Sequence, residues 1–220
     1  SILRRIVEKL DGHALALELV AGLAREIRAS DPDYPNKLPD LLESMQNDIT
    51  EFKGLEIPDD ERNLNIESVL SLSYAHMDTP LKQCFRLLGI LAPDALLPRE
   101  VILELWEKFG NIPSDLNDAE HRLNTLLNKS VLSREGDYFR LHRLLSLYGH
   151  ALLSKHSETP MAEQTYLELV VEQAENTFRH PTDTWLPFET GWSQHISFNG
   201  NRLAMQMSQY VPSERPETRT

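Results

Sequence analysis

Val131-Leu132-Ser133-Arg134-Glu135-Gly136-Asp137-Tyr138-Phe139-Arg140-Leu141 reads as two short strands folded about a turn. Val131-Leu132-Ser133 and Tyr138-Phe139-Arg140-Leu141 carry the β-branched and aromatic residues that suit strands, and Glu135-Gly136-Asp137 separates them as a turn. This hairpin decides the fold, because nearly everything on either side of it has helical spacing.

Immediately upstream, a helix is predicted over 118–129, with Leu123, Leu126 and Leu127 on its apolar side. Before it, Pro98 opens a helix that turns Val101, Ile102, Leu105, Trp106 and Phe109 inward, and Leu96-Leu97 reads as a short strand. Thr79-Pro80 starts a helix over 80–91, lined by Leu81, Phe85, Leu88 and Leu91 and ended by Pro93. Another helix, about 143–154, follows the hairpin at once. Three helices and then a two-stranded hairpin is the order of a winged helix.

Farther out the pattern stays helical. Residues 2–10 place Ile2, Leu3, Ile6, Val7 and Leu10 on one face, and Asp11-Gly12 stops that helix. A second helix, 13–29, carries Leu15, Leu19, Val20, Leu23 and Ile27, with alanines that let a neighbour approach. A turn-rich segment at 30–35, a short helix over Pro39–Met45 and a polar connector at 53–63 lead to a helix over 66–77 that Asn65 is placed to cap. Beyond Thr159-Pro160 a long helix is predicted over 161–178. The stretch 179–200, with Trp185, Phe188, Trp192 and Phe198, is weakly patterned; its aromatics mark either a partner groove or, the favoured reading, the core of a helical pair, and a helix near 201–209 and a polar tail follow. The expected architecture is therefore mainly α with one small hairpin: helices over 1–63, a winged helix with its closing helix (64–158), further helices over 159–211 and a loose tail (212–220), with no clean repeat at a fixed period.

Composition narrows the function. The chain has 22 Lys and Arg against 34 Asp and Glu, a formal charge of -12. Duplex binding depends on clustered cations against phosphate, so a general nucleic-acid binder is disfavoured. Cys84 is the only cysteine, which excludes an internal disulfide and a cysteine metal cluster and points to a reducing cytoplasmic setting. It sits in the apolar run Cys84-Phe85-Arg86-Leu87-Leu88 and reads as a buried small hydrophobe rather than a nucleophile. No apolar stretch reaches spanning length, no signal peptide is visible, and the chain reads as a piece of something longer. The eight histidines form no H-x-x-x-H or H-E-x-x-H run, so no metal site is expected. Ser71 and Ser73 lack a glycine-flanked elbow.

Three local stretches, in order, resemble the NB-ARC portion of STAND nucleotide switches. Leu10-Asp11-Gly12-His13-Ala14-Leu15-Ala16-Leu17 is similar to the family's G-x-P-L-A-L loop. Leu72-Ser73-Tyr74, followed by Pro80-Leu81-Lys82-Gln83-Cys84-Phe85-Arg86-Leu87-Leu88, resembles the entry into the family's winged helix, and Pro98-Arg99-Glu100-Val101-Ile102-Leu103-Glu104-Leu105-Trp106 its next helix. Leu141-His142-Arg143-Leu144-Leu145 is similar to the Met-His-Asp motif at the end of the wing. The resemblance covers roughly residues 1–155. Ala14 stands where the family most often has Pro, and Arg143 where plant members carry Asp.

The resemblance implies a regulatory, non-catalytic part of a signalling ATPase, with 1–63 as its helical subdomain and 159–211 as the start of an α-helical repeat region, of the TPR kind as one option. No G-x-x-x-x-G-K-[ST] run occurs in the 220 residues, so the phosphate loop is expected in an upstream ATPase core acting in cis. ADP or ATP would then be a cofactor of the full-length protein only, with none expected on this chain alone. The other expected partners are C-terminal sensor repeats in cis and further copies on activation; DNA and membranes are not expected. The resemblance also implies that His142 approaches the β-phosphate of ADP; an imidazole can donate to phosphate, although a histidine between hairpin and helix serves a structural end equally well. Gly12, His13, Ala14 and Leu15 would form a lip over the base or sugar, unless they are simply an interhelical turn. The competing reading is a DNA-binding transcriptional regulator with 118–129 as recognition helix. Its expected exposed residues, Asp118, Glu120, His121, Arg122 and Lys129, carry mixed charge, and wing residues Arg134 and Arg140 are offset by Glu135 and Asp137.

Overall fold

A computed structural model describes residues 2–10, 12–31, 33, 34, 37, 64–109 and 116–179. Among them the chain is mainly α-helical with one small antiparallel sheet. Helices α1 (Ile2–Lys9) and α2 (Ala14–Ser30) fall where the apolar spacing puts them. Gly12 between them takes φ +68°, a conformation that costs glycine least, and its N–H donates to the Val7 carbonyl.

Two helix starts differ from the sequence reading. α3 (Leu64–Ala75) begins ahead of Asn65, which therefore lies within the helix and does not cap it. α4 (Thr79–Leu88) is capped by Asp78 and not by Thr79: the Asp78 carboxylate accepts the Leu81 N–H at 2.7 Å, while Pro80 sits in the first turn, where no N–H is needed. α4 also ends at Leu88 rather than 91. Residues 89–91 continue as tighter i→i−3 turns onto the carbonyls of Arg86, Leu87 and Leu88.

The rest follows as β1 (Leu96–Pro98), α5 (Arg99–Lys108), α6 (Leu116–Asn128), β2 (Leu132–Glu135), β3 (Tyr138–Leu141), α7 (Arg143–Lys155) and α8 (Thr159–Arg179). The expected two-stranded hairpin is joined by a third strand. The sheet order is β1-β3-β2, with Leu96 opposite Arg140 and Leu132 opposite Leu141. β1 pairs with β3 because Leu97 and Phe139, both buried, face each other across the ladder.

One hydrophobic core runs through these elements, with Trp106, Tyr148 and Phe85 its largest buried side chains. The Trp106 indole donates to the Cys84 carbonyl at 3.0 Å, which satisfies a polar atom that burial would otherwise strand. α2 packs against α3 and α6, α7 against α4, and α8 against α5 and α7, with Ala162, Tyr166 and Leu169 of α8 buried. Among the described residues this one cluster takes in side chains of α1 and α2 as well as of α3 to α8. The readings of Pro39–Met45, Trp185, Phe188, Trp192, Phe198, 201–209 and the tail fall outside the described residues.

Candidate functional site

His142 stands between β3 and α7 as the N-cap of α7, with φ −59° and ψ 142°. Its Nδ1 accepts the Leu144 N–H at 3.2 Å. An acceptor nitrogen carries no proton, so the hydrogen of the neutral ring is on Nε2. The side chain is exposed, and among the described residues Nε2 has no partner. The cap therefore turns one N–H donor outward from a fixed ring.

The neighbouring amide is also taken. The Arg143 N–H donates to the Asp94 carboxylate at 3.0 Å, and the Asp94 N–H donates to the Leu141 carbonyl at 3.1 Å. A bare helix start offers several N–H groups to an anion. Here two of them are used internally, and an anion would meet chiefly the His142 Nε2–H.

The second predicted group lies at the start of α2. His13 is its N-cap, yet makes no side-chain cap bond, and its Nδ1 is buried without a hydrogen-bond partner among the described residues. Gly12 and Ala14 are exposed, whereas Leu15 is buried in the core. Leu15 is a packing residue rather than part of an open lip. Among the described residues no hydrogen bond joins residues 12–15 to His142; the two helix starts belong to helices seated on different neighbours.

The face of α6 differs from its sequence reading. Lys129, expected to be exposed, is 4% exposed and ion-paired with Glu26 of α2. The reason is close packing: a Cβ at Gly22 would overlap the Lys129 backbone, so α2 lies directly on the end of α6. Arg25 adds to this seam by donating to the Asn128 carbonyl and the Ser130 hydroxyl, at 3.2 and 2.8 Å. Arg122 is paired with Asp118 at 2.8 Å, and Glu120 with Arg99. On the hairpin, Arg140 is paired with Glu135 at 2.6 Å, and Arg134 donates to the Gly136 carbonyl. The cations that would meet a duplex are already committed to acids or carbonyls.

Sequence reasoning missed two connections. One is the α2–α6 seam, beside which lies a cleft of about 300 Å³ lined by Arg25, Glu26, Thr125 and Lys129 among others. The other is Arg86, read as part of an apolar run. Its guanidinium makes a forked pair with Glu158, at 2.6 and 2.5 Å, and donates to the Tyr74 hydroxyl at 2.8 Å. Although burial opposes its charge, these bonds hold its pKa above the ordinary value. The available signal was an arginine in an apolar face, which requires a buried acceptor somewhere. Cys84 is fully buried, and burial pushes its thiol up to about 12, as expected of an inert core residue. Among the described residues no cluster of three metal-ligating side chains occurs, and no helix is long and apolar enough to cross a membrane.

The chain is 25% identical over 139 residues, 62% of its length, to apoptotic protease-activating factor 1 of Homo sapiens. It is 27% identical over 161 residues, 69% of its length, to the disease resistance protein RGA4 of Solanum bulbocastanum. It spans only 10% and 15% of the lengths of those two proteins. No protein-family model matches it. These two similarities support a relationship to the NB-ARC/STAND signalling family.

Proposed function

We propose that this chain is the regulatory, non-catalytic portion of a STAND signalling ATPase. In this reading, residues 1–63 form the helical subdomain and 64–158 a winged helix. Together they hold ADP against a P-loop core supplied in cis, and α8 begins the repeat region that carries the sensor. His142 donates its Nε2–H to a phosphate oxygen of ADP and keeps the closed state. The Gly12–His13–Ala14 turn lies over the base or sugar. Exchange of ADP for ATP releases this contact, rotates the winged helix and permits assembly with further copies in the cytoplasm.

The observation that carries the reading is the His142 cap. A ring whose Nδ1 is bonded to its own helix and whose Nε2–H faces outward is built to donate to something beyond the described residues. The committed cations of α6 and the hairpin speak against DNA as that partner. The test separates the two jobs of the residue. Asn is as good an N-cap as any residue, but with its oxygen on the helix its shorter side chain cannot carry an N–H out to where the imidazole Nε2–H stands. In the complete protein, His142→Asn leaves stability intact and lowers the ADP that copurifies, quantified by chromatography after denaturation. Unchanged ADP content would remove the basis of the reading.

A further inference from the structure

We infer that Asp94 is the positioning residue for His142. The inference rests on the reading of His142 as a phosphate donor for its significance, but the geometry stands without it. Asp94 lies 48 positions before His142 in the sequence, in the turn between α4 and β1, yet it bonds to both residues that flank the histidine. Its N–H reaches back to the Leu141 carbonyl at 3.1 Å, and its carboxylate accepts the Arg143 N–H at 3.0 Å. The peptide planes on either side of His142 are thereby tied to one residue, which sets the direction in which the imidazole leaves the backbone.

The backbone of Asp94 supports this role. It has φ +58°, a left-handed conformation that is uncommon outside glycine. Asp tolerates that region better than most residues, and such outliers persist where the surroundings over-determine them. In this conformation the N–H and the carboxylate of Asp94 both engage the β3–α7 junction. The negative charge also suits the positive end of α7. Its occupation of the Arg143 amide has a second effect. It denies that amide to an incoming anion and leaves the His142 Nε2–H as the directional contact.

The test uses the 220-residue chain with 15N-labelled histidine. In the unaltered chain the His142 ring shows the Nε2–H form, and the Leu144 amide exchanges slowly. Asp94→Ala removes the carboxylate and strains the turn; the His142 ring then samples both tautomers, and the Leu144 amide exchanges about tenfold faster, roughly the worth of one hydrogen bond. Asp94→Asn keeps an acceptor oxygen and restores both signals, which a purely electrostatic role for Asp94 would not produce. If Asp94→Ala disturbs the fold at large, Asp94→Gly takes its place, since glycine accepts φ +58° and loses only the carboxylate. An unchanged His142 tautomer and unchanged Leu144 exchange in the folded Asp94 variant would overturn the inference. Loss of these signals together with unaltered ADP content in His142→Asn would uphold Asp94 as positioning residue and overturn the nucleotide role alone.

Discussion

Helices α2 and α7 are built to the same plan and differ at one atom. Each begins on a histidine outside the helical conformation, His13 and His142. Each crosses a neighbour at a glycine, Gly22 on the Lys129 backbone and Gly149 on Gly89. Each lies near an ion pair: Glu26 of α2 with Lys129 just past the end of α6, and Arg86 of α4 with Glu158 between α7 and α8. But the His142 ring caps its helix, and the His13 ring does not. The capped ring has a fixed tautomer and an outward donor. The uncapped ring holds a buried nitrogen with no hydrogen-bond partner among the described residues. The two helices are thus both seated on a neighbour, although only one of them uses its first side chain as a cap.

The anchors provide the largest test of the shared plan. Arg86 and Glu158 are 9% and 17% exposed in their side chains, whereas Glu26 is 41% exposed. Arg86→Met leaves a partly buried carboxylate without its partner and is expected to cost about 3 kcal/mol in urea unfolding. Lys129→Met leaves Glu26 able to reach water and costs about 1 kcal/mol. Equal losses would mean that burial does not distinguish the two anchors.

The glycines come next. In an open helix, Gly→Ala gains up to about 1 kcal/mol. Gly22→Ala would instead drive a Cβ into the Lys129 carbonyl and is expected to destabilise by about 2 kcal/mol. Gly149→Ala meets Gly89 at 3.2 Å, where a few tenths of an ångström of adjustment suffice, so its change falls nearer zero. Cys84 reports on a neighbouring seat: buried in α4, with its carbonyl bonded by Trp106 of α5, it resists alkylation at neutral pH until the chain unfolds. Rapid labelling of the native chain would show that α4 and α5 are not packed as described.

The smallest effect addresses the difference itself. His142→Ala deletes a cap and costs about 1 kcal/mol, while His13→Ala deletes none and is close to neutral. A reversed order would erase the distinction between the two helix starts.

The contrast also shows what a sequence discloses. Apolar residues at 3.6-residue spacing mark α1, α2 and α4 through α8 because each helix buries one stripe, and that signal is local. The hairpin was legible for the same reason, with strand runs on both sides of Gly136. Pairings between distant residues left little trace. Leu96-Leu97 reads as a strand, but its partner Phe139 is fixed only by the folded sheet. Lys129 looks like any surface lysine until Gly22 brings α2 onto it. Asp94 follows Pro93 as an ordinary turn residue, and its reach to Leu141 and Arg143 depends on the closure of the β1–β3 ladder. His142 was singled out by resemblance; its cap and its tautomer came from geometry.

The most direct measurement is the distance from His142 Nε2 to the nucleotide in a structure of the complete protein with ADP bound. The account predicts a phosphate oxygen at about 2.7–3.2 Å, with Nδ1 still accepting from Leu144. An imidazole turned away from the nucleotide, or phosphates held wholly by other groups, would contradict it.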